Sequence, residues 1–191
     1  MKKKVLSLSL VMVLLAIGIV GGTSAYFTYS EVTRNVITTG GVALTIREWM
    51  DESKEEGDEF PKEGMRIMPG AEITKIVEIE NTGLSDAYVR VKVQTIVDME
   101  SSDAIDHSSF ISMDLNDKEW TLKDGYYYYN KSLSSGEITV PLFTTVTFSK
   151  DMGNVYQNST INIDILAHGV QAEYNGESSL EAKGWPKDTT L

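Results

Sequence analysis

Apolar and polar side chains alternate along most of the chain after residue 41, and this pattern predicts β-strands. It is clearest in Asp86–Val97, where Val89, Val91 and Val93 share one parity and polar residues share the other. A period of two gives a strand one buried face and one face toward water. Similar alternation predicts further strands over Val42–Trp49, Ile73–Glu80, Phe110–Leu115, Lys118–Leu122, Ile138–Phe148 and Asn158–Gln171.

Turn signals separate these segments, and little helical periodicity occurs after the first 25 residues. Pro69–Gly70 fits a type II turn, in which proline presets φ and glycine accepts the positive φ. Asn81–Gly83 ends one strand shortly before Asp86, so the flanking strands are expected to form an antiparallel hairpin. About seven strands joined by turns predict an all-β fold, a two-sheet antiparallel β-sandwich.

The first 25 residues have the three parts of a secretory signal peptide. Lys2–Lys4 form a positive head, Val5–Val20 is an apolar run, and Gly21–Ala25 is a small-residue exit. Thr23 and Ala25 occupy the −3 and −1 positions, which places the cleavage before Tyr26. The alternative is a membrane anchor, but this run is shorter than the ~20 residues that cross a bilayer. We therefore expect a helical signal peptide and a secreted or cell-surface protein, bound to the membrane only through the uncleaved signal.

Composition sets further limits on the domain organisation and on function. Four parts are predicted: signal peptide 1–25, extended segment 26–41, β-sandwich 42–175 and polar tail 176–191. The chain has no cysteine, which excludes disulfides, iron–sulfur clusters and thiol nucleophiles. Without its three signal lysines the net charge of −11 becomes −14, which opposes nucleic-acid binding. Such a charge suits a soluble protein, cation binding or charge-regulated self-association.

An acidic stretch interrupts the strand pattern between residues 50 and 64. It contains seven carboxylates and two lysines around Gly57 and Pro61, which predicts a mobile loop because so few apolar groups offset its ordering entropy. The functional alternative is a calcium site, since carboxylate oxygens are the ligands that calcium prefers, although no EF-hand spacing is present. The candidate ligands are Asp51, Glu52, Glu55, Glu56, Asp58 and Glu59.

Tyr126–Tyr129 is an unbroken run of tyrosines. In a strand it puts two rings on each face, one pair inward and one pair available to solvent or a partner. Packing across strands is the more common role of such rings, and a ligand platform is the alternative.

No catalytic constellation is present in the sequence. The two histidines, His107 and His168, belong to no H-E-x-x-H motif, and packing or surface roles are expected for both. The sequence also has no G-x-S-x-G, no phosphate-binding glycine loop and no S-x-x-K. We therefore expect a protein that is not an enzyme and that needs no cofactor.

The residues around the predicted cleavage site carry a resemblance to a known family. Gly21–Glu31 reads GGTSAYFTYSE and is followed by Val32–Asn35 and the Gly40–Gly41 pair. This resembles the start of the camelysin/TasA family of Gram-positive secreted proteins, although Asp is commoner there at the position of Tyr29. Looser resemblance continues through Pro69–Gly70, Asn81–Gly83, Tyr88–Val93, Tyr126–Tyr129 and Val170–Gln171. It implies processing by a SipW-type signal peptidase and a jelly-roll-like sandwich.

Three functional hypotheses follow from the residues and the resemblance. In the first, the protein is a TasA-like fibre subunit, and the freed Tyr26–Thr39 completes a sheet of the next copy by β-augmentation. The candidate donor residues are Tyr26, Phe27, Thr28, Tyr29, Val32 and Val36. In the second, it is a monomeric binding module that uses the acidic loop and Tyr126–Tyr129. In the third, it is a camelysin-type metalloprotease, for which the sequence offers no motif.

Overall fold

The computed structural model describes residues 27–29, 34–39, 41–61, 65–99, 107–153 and 156–188. The predicted signal peptide and the cleavage residues Thr23, Ala25 and Tyr26 lie outside this part of the chain. None of the described helical residues belongs to a helix long and apolar enough to cross a membrane. The strands are β1 (Phe27–Tyr29), β2 (Arg34–Thr38), β3 (Leu44–Trp49), β4 (Met65–Ile67), β5 (Glu72–Asn81), β6 (Ala87–Asp98), β7 (Ile111–Met113), β8 (Trp120–Lys123), β9 (Tyr126–Tyr129), β10 (Phe143–Phe148) and β11 (Thr160–Gln171).

The strands form two sheets that pack face to face, so the predicted all-β sandwich is confirmed. The large sheet has the order β4-β1-β11-β6-β9-β8, with β2 also paired to β11. The small sheet has the order β3-β5-β10-β7. The core between them is apolar and takes side chains from both sheets, including Val77, Ile79, Val89, Val91, Trp120, Phe143, Phe148, Ile161, Ile163 and Ile165.

One feature of the sheets differs from the antiparallel arrangement that the sequence predicts. β1 and β2 both run parallel to β11, whereas the other pairs between strands are antiparallel. Antiparallel neighbours are favoured when a short hairpin joins two strands. β1 and β2 come from the opposite end of the sequence to β11, so no hairpin fixes their direction.

The predicted hairpin between β5 and β6 is wrong, because these strands lie in different sheets. The connection 82–86 crosses from the small sheet to the large one, and the buried side chain of Asn81 holds it. Its amide donates to the carbonyl oxygens of Ser85 (2.9 Å) and Leu133 (2.8 Å), and its Oδ1 accepts from the Gly83 amide (3.0 Å). A Cβ at Gly83 would lie 2.5 Å from the backbone nitrogen of Ala43, so only glycine fits there.

Two strand boundaries also differ from the alternation pattern. β10 begins at Phe143, because Pro141 has no amide to donate to a ladder and Ile138 and Val140 remain 45% and 37% exposed. β4 is a three-residue strand that pairs with β1, and it follows the acidic loop where no alternation was apparent.

The residues predicted to form a polar tail pack on the outer face of the large sheet as far as residue 188. Ala182 and Trp185 join Tyr88 and Val170 in a second apolar cluster on this face. The side chain of Asn175 fixes the start of this segment, since it donates to the carbonyl oxygens of Gln171 and Lys183 at 3.0 and 3.1 Å. The apolar residues of this stretch are too few and too irregularly spaced to have predicted the contact.

Replacing Asn81 by alanine should lower the free energy of unfolding by about 2–3 kcal/mol, because the change removes three buried or partly buried hydrogen bonds at the crossover. Urea denaturation of the purified protein measures this loss. The exposed neighbour Thr82→Ala is the control and should change stability by less than about 0.5 kcal/mol. Equal stabilities of the two variants would contradict the role given to Asn81.

Candidate functional site

The first candidate site is the edge of β11 on which β1 and β2 lie. Thr28 and Tyr29 pair with Thr160 and Ile161, and the five residues of β2 pair with Ile165–Gly169. Thr39 continues the contact, since its amide donates to the Gly169 carbonyl oxygen at 3.2 Å. We call β1, β2 and Thr39 the N-terminal strand. The register differs by one residue between β1 and β2.

The N-terminal strand supplies backbone partners that β11 otherwise lacks on this side. The other edge of β11 is paired with β6 over all of Thr160–Gln171. An unpaired edge would leave buried backbone groups without partners and would be open to pairing with another chain. β1 is covered in turn by β4, whereas no described strand is hydrogen-bonded to the outer edge of β2.

Tyr29 anchors the N-terminal strand in the core. Its side chain is 1% exposed, and its ring makes edge-to-face contacts with Phe60 and Phe148, at centroid distances of 5.5 and 6.1 Å. Aromatic pairs in this geometry add to the stabilisation that burial alone provides. We call the cavity that these two rings form around Tyr29 the tyrosine socket.

The tyrosine socket also contains buried charge. Glu48 Oε1 lies 2.6 Å from Lys75 Nζ, and both side chains are almost fully buried. The ammonium group of Lys75 lies 3.9 Å from the centroid of the Phe60 ring. The Tyr29 hydroxyl is buried and has no hydrogen-bond partner among the described residues. Burial raises its pKa well above the usual value, and the negative charges of Glu48 and Asp164 act in the same direction.

The structure places the six predicted donor residues unequally. Tyr26 and Val32 lie outside the described residues, and Phe27 and Thr28 are described only as backbone of β1. Tyr29 is buried, whereas Val36 on β2 is 38% exposed. In this single chain the segment completes its own sheet. The weak alternation of this segment does not show which of the candidate donor residues is buried.

The second candidate site is the outer face of the large sheet around the tyrosine run. Tyr127 and Tyr129 face the core, and Tyr126 and Tyr128 face outward as the alternation predicts. Tyr128 is not free for a partner, because it is buried and Trp185 packs edge-to-face on it at 5.6 Å. Tyr126 is half-buried and packs on Arg90. Cross-strand packing, the more common role of such rings, therefore accounts for this run.

Arg90 lies at the centre of this outer face. Its guanidinium carbon is 3.9 Å from the centroid of Tyr126 and 4.8 Å from that of Trp185, within the range of cation–π contacts. The guanidinium also donates to His168 Nδ1 (3.2 Å from Nε) and to the Pro186 carbonyl oxygen (3.0 Å). Arg90 therefore connects the sheet to the C-terminal residues that cover it.

Asp188 completes this group of side chains on the outer face, and we call Arg90, Tyr126, His168 and Asp188 the outer cluster. Its carboxylate accepts hydrogen bonds from Lys92 Nζ at 2.8 Å and from the Tyr126 hydroxyl, and it lies 3.6 Å from His168 Nε2. Burial, together with the hydrogen bond to Asp188, raises the pKa of Tyr126 to about 12. His168 is fully buried, and its Nδ1 accepts from Arg90, so the ring is neutral with its proton on Nε2. Burial and the positive charge of Arg90 lower the pKa of His168 to about 4, although Asp188 opposes the shift.

The described part of the acidic loop, residues 50–61, makes hydrogen bonds of its own. Its ends are joined by the Met50 amide, which donates to the Asp58 carbonyl oxygen at 2.8 Å, and Phe60 is buried beside them. The Asp51 and Asp58 carboxylates accept from backbone amides within the loop, and Lys54 pairs with Glu78 at 2.5 Å. Three of the six candidate calcium ligands, Asp51, Asp58 and Glu59, thus accept hydrogen bonds from the loop's own backbone amides.

The metal chemistry considered from the sequence has no assembled site in the described part of the chain. No group of three or more histidine or acidic side chains there is placed to hold an ion. This covers the candidate calcium ligands Asp51, Glu52, Glu55, Glu56, Asp58 and Glu59. His168 is committed to the Arg90 cluster, and the side chain of His107 lies outside the described structure.

Comparison of the chain with family models, with curated proteins and with solved structures finds no match. The resemblance to the camelysin/TasA family therefore rests on residues 21–41 and on the shorter matches that follow them.

Replacing Tyr29 by phenylalanine should leave the free energy of unfolding unchanged or raise it by up to about 1 kcal/mol, because the buried hydroxyl has no hydrogen-bond partner in the described part of the chain. Tyr29→Ala should lower it by about 3–5 kcal/mol, because it empties the tyrosine socket. Thermal and urea denaturation measure both changes. A loss above 1 kcal/mol for the phenylalanine variant would show that the hydroxyl has a partner, and a small loss for the alanine variant would show that the socket is not filled.

His168 should make stability depend on pH in acid. The unfolded chain protonates this histidine near its usual pKa of 6.5, whereas the folded protein does so only near 4. The stability that comes from keeping this histidine neutral is therefore fully present above pH 6.5. The free energy of unfolding falls by on the order of 2 kcal/mol as the pH falls toward 4. The measurement is the free energy of unfolding at pH 7 and pH 4.5.

His168→Asn tests this assignment, because the asparagine oxygen still accepts from Arg90 but does not titrate. Its stability should fall less between pH 7 and pH 4.5 than that of the wild type. His107→Asn removes the other histidine of the chain and should leave the wild-type pH dependence intact. Parallel pH profiles for wild type and His168→Asn would contradict the lowered pKa.

Proposed function

We propose that the protein is a secreted structural subunit that assembles by strand exchange. In the assembly, the N-terminal strand of one copy pairs with β11 of the next, as the resemblance to TasA-like fibre proteins implies. The observation that carries this proposal is the position of the N-terminal strand along a single edge of β11, with Tyr29 buried in the tyrosine socket. The alternatives have less support, because Trp185 covers Tyr128 and no described side chains assemble a metal centre.

The physical basis is that the acceptor edge does not distinguish its own strand from an identical one. Backbone hydrogen bonds to Ile165–Gly169 and the contacts of Tyr29 with Phe60 and Phe148 are the same whichever copy supplies the strand. Exchange of an identical element is a low-cost route to assembly. Gly40–Gly41 links the N-terminal strand to β3, and two glycines give this link wide conformational freedom.

The tyrosine socket gives the exchange its specificity. A strand that pairs with β11 but carries no large aromatic residue at position 29 leaves a cavity beside the Glu48–Lys75 ion pair. A partly hydrated or poorly packed buried pair is costly, because the attraction between its charges then no longer offsets their desolvation. The strand of a second copy of this chain fills the socket with the same tyrosine.

Export and assembly are coupled in this proposal. The predicted cleavage before Tyr26 lies directly ahead of the N-terminal strand, so a SipW-type signal peptidase would free the donor end only at the membrane surface. The net charge of −14 left after cleavage adds long-range repulsion between copies. Salt and acid reduce this repulsion, and we expect both to promote assembly.

Single-cysteine variants test the exchange without ambiguity, because the chain has no cysteine of its own. Val36 and Ala167 are Cα partners across β2 and β11, and neighbouring strands lie about 4.8 Å apart, a separation that a disulfide spans. We expect a mixture of mature Val36→Cys and Ala167→Cys proteins to form disulfide-linked heterodimers on oxidation. Non-reducing electrophoresis with differently tagged variants and electron microscopy detect the heterodimers and the fibres.

Two controls sharpen this experiment. Leu122→Cys places an exposed thiol on β8, away from β11, and its mixture with Val36→Cys gives the background of random oxidation. A chain that carries both Val36→Cys and Ala167→Cys should lock its own strand and stay monomeric once oxidised. Heterodimers at the background level, or fibres from the locked chain, would reject strand exchange.

A further inference from the structure

The two most exposed large apolar side chains in the described part of the molecule lie at one end of the sandwich. Leu84 is 95% exposed in the connection 82–86, and Tyr174 is 97% exposed in the turn that follows β11. The Ala172 amide donates to the Asp86 carbonyl oxygen at 2.9 Å, which joins the two loops. We call Leu84, Tyr174 and the surface between them the apolar end.

Hydrogen bonds hold the backbone of the apolar end in a defined conformation. Tyr174 has a φ of 59°, a left-handed conformation that is unfavourable for a tyrosine. The turn is held in place by Asn175, whose side-chain amide donates to the Gln171 carbonyl oxygen at 3.0 Å. Tyr88 and Ala172 line a groove beside Leu84. A fixed, strained turn that presents an aromatic ring to solvent is typical of a contact surface.

The link between the N-terminal strand and the body passes this same end. β11 runs toward Gln171 and the turn of Tyr174, and the N-terminal strand runs parallel to it, so Thr39 lies at this end of the sheet. A Cβ on Gly41 would lie 3.4 Å from the Ser85 hydroxyl, next to Leu84 in sequence. The chain therefore leaves the edge of β11 and enters β3 beside the connection 82–86.

We propose that the apolar end is the surface on which a second copy of this chain, the strand-exchange partner, packs its body. This rests on the proposed function. If a neighbour supplies the N-terminal strand, its Thr39 lies at the apolar end, and its β3 starts only five residues later. Each residue spans at most ~3.6 Å, so the body of the neighbour must lie close by. In the neighbour, Gly41 lies beside its own Ser85, so the apolar ends of both copies meet at one junction.

Apolar burial is what attracts a second copy at this end. The chain is strongly acidic, and the groove beside Leu84 also carries Asp86 and Glu173, so the attraction has to exceed a like-charge repulsion that salt screens. Leucine and tyrosine side chains gain free energy when they leave water, and they do so without charge repulsion. The contact thus contributes attraction where the exchanged strand brings the two bodies together.

A double variant, Leu84→Ser with Tyr174→Asn, tests the role of the apolar end. Both side chains are almost fully exposed, so the fold should persist, and asparagine tolerates the left-handed φ of residue 174. Introduced into both members of the Val36→Cys and Ala167→Cys mixture, it should slow heterodimer formation about tenfold, which corresponds to 1.4 kcal/mol. Leu122→Ser, at an exposed apolar position on β8, is the matched control and should leave the rate unchanged.

The outcomes separate this inference from the proposed function. If the parent mixture forms no heterodimers above background, strand exchange itself fails. If the parent mixture cross-links and the double variant cross-links at the same rate, the apolar end serves another occupant and this inference is overturned. An equal slowing by Leu122→Ser would also overturn it, because the effect would then come from lost surface hydrophobicity in general. Unfolding curves that coincide with those of the parent confirm that the variant is folded.

Discussion

The pairing of β11 is the constraint on which the rest of the structure depends. This strand has twelve residues, and its side chains contribute to the core on one face and to the outer cluster on the other. β6 satisfies one of its edges along the full length, so the other edge has to be covered by a segment from elsewhere. The chain covers it with residues that come directly after the predicted signal cleavage, and it thereby makes its central strand dependent on its first strands.

The tyrosine socket shows how a short strand is held on that edge. β1 and β2 have only three and five residues, and backbone pairing alone gives little net stability because water competes for the same hydrogen bonds. Tyr29 compensates by entering a cluster that already contains Phe60 and the ion pair of Glu48 and Lys75. A buried ion pair adds little stability compared with apolar packing. It destabilises the fold when the residues around it pack poorly, because the attraction between the charges then no longer offsets their desolvation. The ion pair therefore makes the site selective for the residue at position 29, while it contributes little to the stability of the fold.

The sequence predicted the elements better than their partners. Alternation located β3, β5, β6 and β11 because each has one dry face, which is a local property. It could not show that β5 and β6 lie in different sheets, since this is decided by the buried Asn81 side chain and by the close approach at Gly83. The outer cluster was missed for a similar reason. Arg90, His168 and Asp188 are far apart in sequence, and each alone is an ordinary polar residue. Only the Tyr126–Tyr129 run pointed to this face in the sequence. It predicted which rings face outward, but not that Trp185 packs on Tyr128.

Whether the N-terminal strand stays in its own molecule or joins a neighbour depends on what differs between the two states. The backbone pairs with β11 and the contacts of Tyr29 are the same in both, so they cancel. What remains is the conformational freedom of the Gly40–Gly41 link, the loss of translational freedom on association and any contact that exists only between copies. The glycine link permits either state, the loss of translational freedom favours the single chain, and long-range charge repulsion adds to that loss. Assembly therefore needs an attractive contact next to the link, and Leu84 and Tyr174 are the exposed apolar side chains that the fold places there.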